Sequence, residues 1–130
     1  PPAYEFIDNK ASIYTYYKPQ SKNSINGLVG IQPGENETVI NKNRPSAYYN
    51  TSLSDWLEEN NLQQVIICGV TTSICVETTT RDLSQEDYRV IIASDAVNEL
   101  EADRHEVALK TLAFGFAWVE ESGQIIQKMG

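Results

Sequence analysis

The chain has 130 residues, with 10 Lys and Arg against 18 Asp and Glu, a net charge of −8. That length suits one domain with a real core, 41% hydrophobic residues argue against wholesale disorder, and the acidic balance argues against a nucleic-acid or anionic-membrane binder, since phosphates would be repelled. Two cysteines make no disulfide framework, and no apolar run approaches the roughly 18 residues that span a bilayer.

The chain opens Pro1-Pro2-Ala3, without the basic and apolar regions of a targeting signal, so a cytoplasmic location is expected. Residues 1–50 are rich in Asn, Pro, Gly and Tyr and show no sustained period; within them, 11–17 and 37–40 read as strands. Ser52 and Asp55 fit a capping box, and Leu53, Trp56 and Leu57 fall at i, i+3 and i+4, which predicts a helix over 53–60. The apolar, β-branched run 64–70 suits a strand buried on both faces. Residues 71–85 lack Gly and Pro and read as a helix, 89–93 as a second buried strand, and 103–114 as a helix with Ala108, Leu112 and Phe116 on one side. A short strand over 116–119 and a tail turn over 125–128 complete the chain. Strands alternating with helices predict an α/β fold: a three-layer αβα, Rossmann-like arrangement on a mostly parallel, doubly wound sheet. Four or five strands are few for such a sheet, which has about six.

In open α/β sheets, sites form at the carboxyl ends of strands. Strand 64–70 ends in Gly69-Val70, a short turn follows, and Cys75 falls in or near the first turn of the next helix. Unpaired amides there point at whatever binds, the helix dipole favours a thiolate, and the same amides can hold an oxyanion. From position alone, Cys75 reads either as a nucleophile or as a small buried hydrophobe. Cys68 lies inside the apolar strand and is expected in the core. Seven positions separate the two cysteines, a spacing that fits neither a redox pair nor a zinc knuckle. Lys42 follows the strand 37–40 and can reach the same end of the sheet, where a cation favours a thiolate or orients a carboxylate. Read alone, it is also an ordinary surface lysine.

These segments together resemble the isochorismatase-like cysteine hydrolases. Gly69-Val70-Thr71-Thr72-Ser73-Ile74-Cys75-Val76-Glu77, continuing to Asp82, is similar to the family's nucleophile motif. Val39-Ile40-Asn41-Lys42, with Ser46-Ala47-Tyr48 and Thr51-Ser52-Leu53, is similar to its lysine motif. Val90 to Val97, then His105 and Ala108-Leu109, match its C-terminal pattern, so the resemblance covers about residues 28–128. It implies an Asp-Lys-Cys triad in which Lys42 and Cys75 are catalytic, and a cis peptide between Val70 and Thr71 that turns the Thr71 amide, with that of Cys75, into an oxyanion hole. Tyr48 and Thr72 are the implied substrate-binding residues.

The family's Asp lacks a clear counterpart. Asp8 precedes Lys42 by 34 residues, too few for the intervening helix and strand, and is a weak candidate. The expectation is therefore that residues 1–130 form the C-terminal portion of one domain, with the acid on a segment before Pro1. Some members bind metal through Asp and several His residues. Here His105 stands alone, so no metal and no cofactor are expected, and His105 reads as a structural hydrogen-bonding residue. The implied function is hydrolysis of a small C–N substrate (amide, ureide or carbamoyl) through a thioester acyl-enzyme. Alternatives are isochorismatase-type vinyl-ether hydrolysis and a non-catalytic binding protein on the same fold. The expected partners are a small-molecule substrate and, because family members pair through helices, further copies of the chain.

Overall fold

Parallel strands require crossover connections, and the alternation of apolar runs with helical segments supplies them. The computed structural model describes residues 13–17 and 33–130. β1 (Ile13–Tyr17) pairs in parallel with β2 (Thr38–Lys42), in register from Ile13 opposite Thr38 to Tyr17 opposite Lys42. α1 (Leu53–Glu59) leads to β3 (Gln64–Val70), then a π-wound turn over Thr72–Val76 runs into α2 (Glu77–Gln85). β4 (Arg89–Asn98), α3 (Ala102–Gly115), β5 (Trp118–Glu120) and α4 (Ser122–Met129) follow. The described strands form two sheets, β1-β2 and β3-β4-β5, and every strand pair is parallel.

The α/β class and the layering expected from the sequence are present. β4 carries its side chains alternately to two cores, as strand geometry dictates. Val90 and Ile92 join Ile40, Leu53, Leu57, Leu83 and Leu112 on one face, where α1, α2 and α3 lie. Ile91 and Ala93 pack on Ile125 of α4 on the other, flanked by Trp118 and Met129. α4 is fastened by Asp95 of β4, whose carboxylate accepts from the Ser122 amide at 2.7 Å and the Ser122 hydroxyl at 2.6 Å. These two bonds, the hydroxyl first, hold the Asp95 carboxyl below the usual carboxylate range. Among the described residues, no helix is long and apolar enough to cross a membrane.

Several expectations are corrected. β4, not β3, is the strand buried on both faces: Val90, Ile91 and Ile92 are fully buried, whereas Ile66 is 39% and Val70 60% exposed. Cys68 is exposed rather than in the core. The cause is position in the sheet. β4 has a neighbour on each side, while β3 pairs only with β4 among the described strands, and the register breaks at Cys68, between Ile67 opposite Ile92 and Gly69 opposite Val97. The cap of α1 also differs. Ser52 makes no capping bond, and Thr51 Oγ1 instead accepts from the Leu53 amide at 3.1 Å. The tail turn is a full helix, α4, because Asp95 satisfies its first amide. Asp8 lies outside the described residues, as do residues 11 and 12 of the expected first strand.

Leu112 is fully buried and Phe114, two residues on, is 95% exposed, so position rather than residue type decides their worth. Leu112→Ala is expected to cost about 3 kcal/mol and Phe114→Ala less than about 0.5 kcal/mol in urea unfolding. The fully buried Thr80 hydroxyl has no hydrogen-bond partner among the described residues. Thr80→Val, similar in shape, is therefore expected to raise stability, by about 1 kcal/mol, in the same measurement.

Candidate active site

The period of two along β2 builds the first half of the site. Thr38, Ile40 and Lys42 share one face: Thr38 Oγ1 accepts from the Trp56 indole at 3.0 Å, Ile40 enters the core, and Lys42 emerges at the carboxyl end. Lys42 is 5% exposed, so it is not the surface lysine that an isolated reading allows. A buried ammonium needs acceptors. Its Nζ donates to the Arg44 and Pro45 carbonyls, each at 2.9 Å, and approaches Cys75 Sγ at 3.8 Å. Burial pulls the Lys42 ammonium below the ordinary lysine range, and the neighbouring Cys75 acts in the opposite direction.

The second half is the turn after β3. Gly69 has φ +113°, a conformation that side-chain-bearing residues rarely adopt, although nothing lies within 4 Å of where a Cβ would sit. Backbone shape, rather than space, calls for glycine here. The Val70–Thr71 peptide is cis. The Thr71 carbonyl accepts from the Ile74 amide at 3.3 Å and the Val76 amide at 3.1 Å, which winds the wide turn that carries Cys75. Cys75 is half-buried and unpaired with Cys68. The lysine loop is stitched to α2 by the Ala47 amide, which donates to Thr79 Oγ1 at 2.8 Å. Within that loop, Ser46 Oγ accepts from the Tyr48 amide at 3.1 Å and the Tyr49 amide at 3.0 Å.

The structure thus brings Lys42, Thr71 and Cys75 to one place. Thr72 is fully buried with its hydroxyl 2.8 Å from His105 Nδ1, so its side chain faces the fold. The same contact gives His105 the structural bonding role expected of it. Tyr48 is half-buried, donates its hydroxyl to Ser54 Oγ at 3.2 Å, and stacks edge-on against Tyr88 with centroids 6.2 Å apart. Among the described residues, no three His, Cys, Asp or Glu side chains converge to hold a metal ion. A hollow of about 510 Å³ lined by Leu57, Glu58, Leu62, Tyr88 and Arg89 lies at the amino ends of β3 and β4, the end opposite Cys75.

Sequence reading missed Glu99. Its Oε2 accepts from the Ser73 amide at 3.0 Å and from the Ser73 hydroxyl, and its Oε1 accepts from the Leu100 amide at 2.9 Å. A lone Glu beyond a strand carries no local signal; only the carboxylate's reach back to an earlier turn reveals it. The Ser73 hydroxyl above all, then the Leu100 and Ser73 amides, bring its carboxyl from the ordinary 4.5 down to about 2, with Arg104 adding to the effect. Because the folded value lies below the unfolded one, this contribution is complete above about pH 4.5 and fades as pH falls toward 2. The difference in melting temperature between wild type and Glu99→Gln is expected to be largest near neutrality and to shrink in acid; a difference independent of pH would contradict this.

A family model described as the isochorismatase domain matches residues 24–124. Nicotinamidase 3 of Arabidopsis thaliana is 35% identical over 101 residues, covering 78% of this chain and 50% of that protein. A ureidoacrylate amidohydrolase, RutB, of Methylobacterium radiotolerans is 29% identical, covering 77% of this chain and 39% of that protein. The chain therefore spans about half or less of the length of these curated relatives. Among solved structures, an isochorismatase-like hydrolase from Alkaliphilus metalliredigens superimposes with a TM-score of 0.74 at 32% identity, covering 77% of this chain and 54% of that one. A nicotinamidase/pyrazinamidase from Bacillus subtilis superimposes with a TM-score of 0.65 at 30% identity, covering 67% and 48%. With the parallel sheet, the lysine at the end of β2 and the cysteine turn after β3 all in place, this chain belongs to the isochorismatase family.

Proposed function

We propose that this chain carries the cysteine and lysine of a hydrolase that cleaves a C–N bond in a small amide, ureide or carbamoyl compound. The observation that carries the reading is the buried Lys42 ammonium 3.8 Å from Cys75 Sγ, at the carboxyl end of the strands. A cation at that distance stabilises negative charge on sulfur in a site shielded from water. The Cys75 thiolate attacks the carbonyl carbon; a C–S bond forms and the carbonyl electrons move onto oxygen. The amides of Thr71 and Cys75 receive that oxyanion. Collapse expels the amine, which takes a proton from a general acid, and water then hydrolyses the thioester and regenerates the thiol.

Among the described residues, Lys42 is the hydrogen-bond partner of the Cys75 sulfur. In this reading the acid is the family's Asp, on a segment beyond the described residues. Amide chemistry, rather than vinyl-ether cleavage, is favoured by the nicotinamidase and ureidoacrylate amidohydrolase names of the similar proteins. Two free cysteines suit a reducing, cytoplasmic setting, and exposed Ile66, Val70 and Ile74 beside the β3 edge suit burial against further protein, including another copy of the chain.

Ammonia release from nicotinamide and from ureidoacrylate, measured on the protein that carries this chain, tests the reading. Cys75→Ser is expected to lower kcat by about 10³-fold or more and Lys42→Met by about 10²-fold, with intact-mass analysis showing an acyl adduct on Cys75 in slow turnover. Turnover that survives Cys75→Ser would exclude the thioester route. Tight binding of these amides with no turnover would favour a binding protein instead.

A further inference from the structure

Glu99 belongs to none of the motifs that define the site, yet it touches the turn that carries the cysteine. It lies between β4 and α3, and its carboxylate reaches back 26 residues to Ser73, bonding both the amide and the hydroxyl. Only 2% of its side chain is exposed, and Arg104 pairs with its outer oxygen at 3.5 Å. The turn has no local substitute for this contact, because Thr71, the residue flanking its amino end, makes no side-chain capping bond. Helix amino ends leave backbone donors that must be satisfied from elsewhere.

The sign of the charge makes this placement informative. A carboxylate lends a thiolate no favourable charge, so Glu99 cannot duplicate the part played by the Lys42 ammonium. What the residue offers the site is therefore geometric. Ser73 sits two positions before Cys75, and fixing its amide fixes the direction of the turn, hence the distance from Cys75 Sγ to Lys42 Nζ. His105 secures the adjacent residue by its contact with the Thr72 hydroxyl, again from the segment after β4. We propose that Glu99 is a positioning residue for the cysteine nucleophile, capping the Thr72–Val76 turn from across the fold and setting where Cys75 Sγ points. The proposal rests on the reading of Cys75 as the nucleophile.

The two functions of a carboxylate, charge and acceptor, separate in a pair of variants. Glu99→Gln removes the charge but keeps a carbonyl oxygen for the Ser73 amide; Glu99→Ala removes both. The probe is the rate of Cys75 alkylation by iodoacetamide at neutral pH, located by peptide mass spectrometry, on protein shown to be folded by circular dichroism. Positioning predicts that Glu99→Ala slows alkylation about tenfold, because the sulfur leaves its cation, while Glu99→Gln stays within about threefold of wild type. Equal acceleration in both variants would show that charge alone matters and overturn the proposal. Unchanged rates in both, with only a lower melting temperature, would reduce Glu99 to a structural group and also overturn it. Should Glu99→Ala not fold, Ser73→Ala keeps the backbone and removes one of the bonds; a two- to threefold slowing supports the proposal, and a wild-type rate overturns it. A wild-type Cys75 that resists alkylation would instead sink the nucleophile reading and this proposal with it, whereas a reactive Cys75 indifferent to Glu99 leaves that reading intact.

Discussion

A buried ammonium organises the structure around it. Lys42 has lost nearly all contact with water, and a charge in that position is tolerated only when acceptors surround it. Two come from the Arg44 and Pro45 carbonyls, which oblige the chain after β2 to curl back over its own last residue. The ammonium also approaches the Cys75 sulfur, 33 residues further along. The loop that satisfies the lysine is in turn anchored to α2 by Thr79 and to the start of α1 by Thr51, which donates to the Ala47 carbonyl at 2.6 Å. Moving Lys42 would therefore disturb the lysine loop, α1 and the cysteine helix together.

The sheet supplies a rigid frame with one deliberate irregularity. β4 is the most buried strand because it is flanked by β3 and β5 and covered by helices on both faces. β3 follows it in register to Ile67 and pairs with it again at Gly69 and Val70, opposite Val97 and Asn98, so the extra residues at the break lie in β4. After Val70 the chain leaves the sheet and enters the wide turn holding Cys75. Register breaks of this kind re-aim side chains near functional sites. Here the break lies in the pair of strands whose carboxyl ends lead to the Cys75 turn and to Glu99.

Two segments from the far side of β4 then close over the turn. Glu99 bonds Ser73, and His105 bonds Thr72, so the residues preceding Cys75 are held by side chains that arrive much later in the chain. The opposed charges of Lys42 and Glu99 flank the cysteine turn from different elements. Arg81 of α2, paired with Glu77 at 3.0 Å, lies 4.4 Å from the Phe116 ring and binds the helix after the cysteine to the chain beyond α3. The site is thus a junction of β2, β3, α2 and the β4–α3 connection, which is why it needs most of the described fold to exist.

The amino-acid sequence by itself determined the elements and the chemistry on offer. Apolar runs marked β3 and the first half of β4, the lack of Gly and Pro marked the stretch that holds the π-turn and α2, and apolar spacing marked α3, because burial leaves a trace along the chain; the reach of β4 to Asn98 and the π-wound start at Thr72 were not marked. The sequence also marked Cys75 and Lys42, since the resemblance of their surrounding segments to a known family is a local property. Tertiary structure decided what depends on neighbours. It placed Cys68 on the surface and Val90–Ile92 in the centre, since burial of an apolar strand follows from its rank in the sheet rather than from its composition. It transferred the cap of α1 from Ser52 to Thr51 and made a helix of the tail through Asp95. It turned Thr72 inward and brought Glu99 to Ser73, contacts between residues 33 and 26 positions apart that no local pattern records, because hydrogen bonds across a fold are set by where the elements meet.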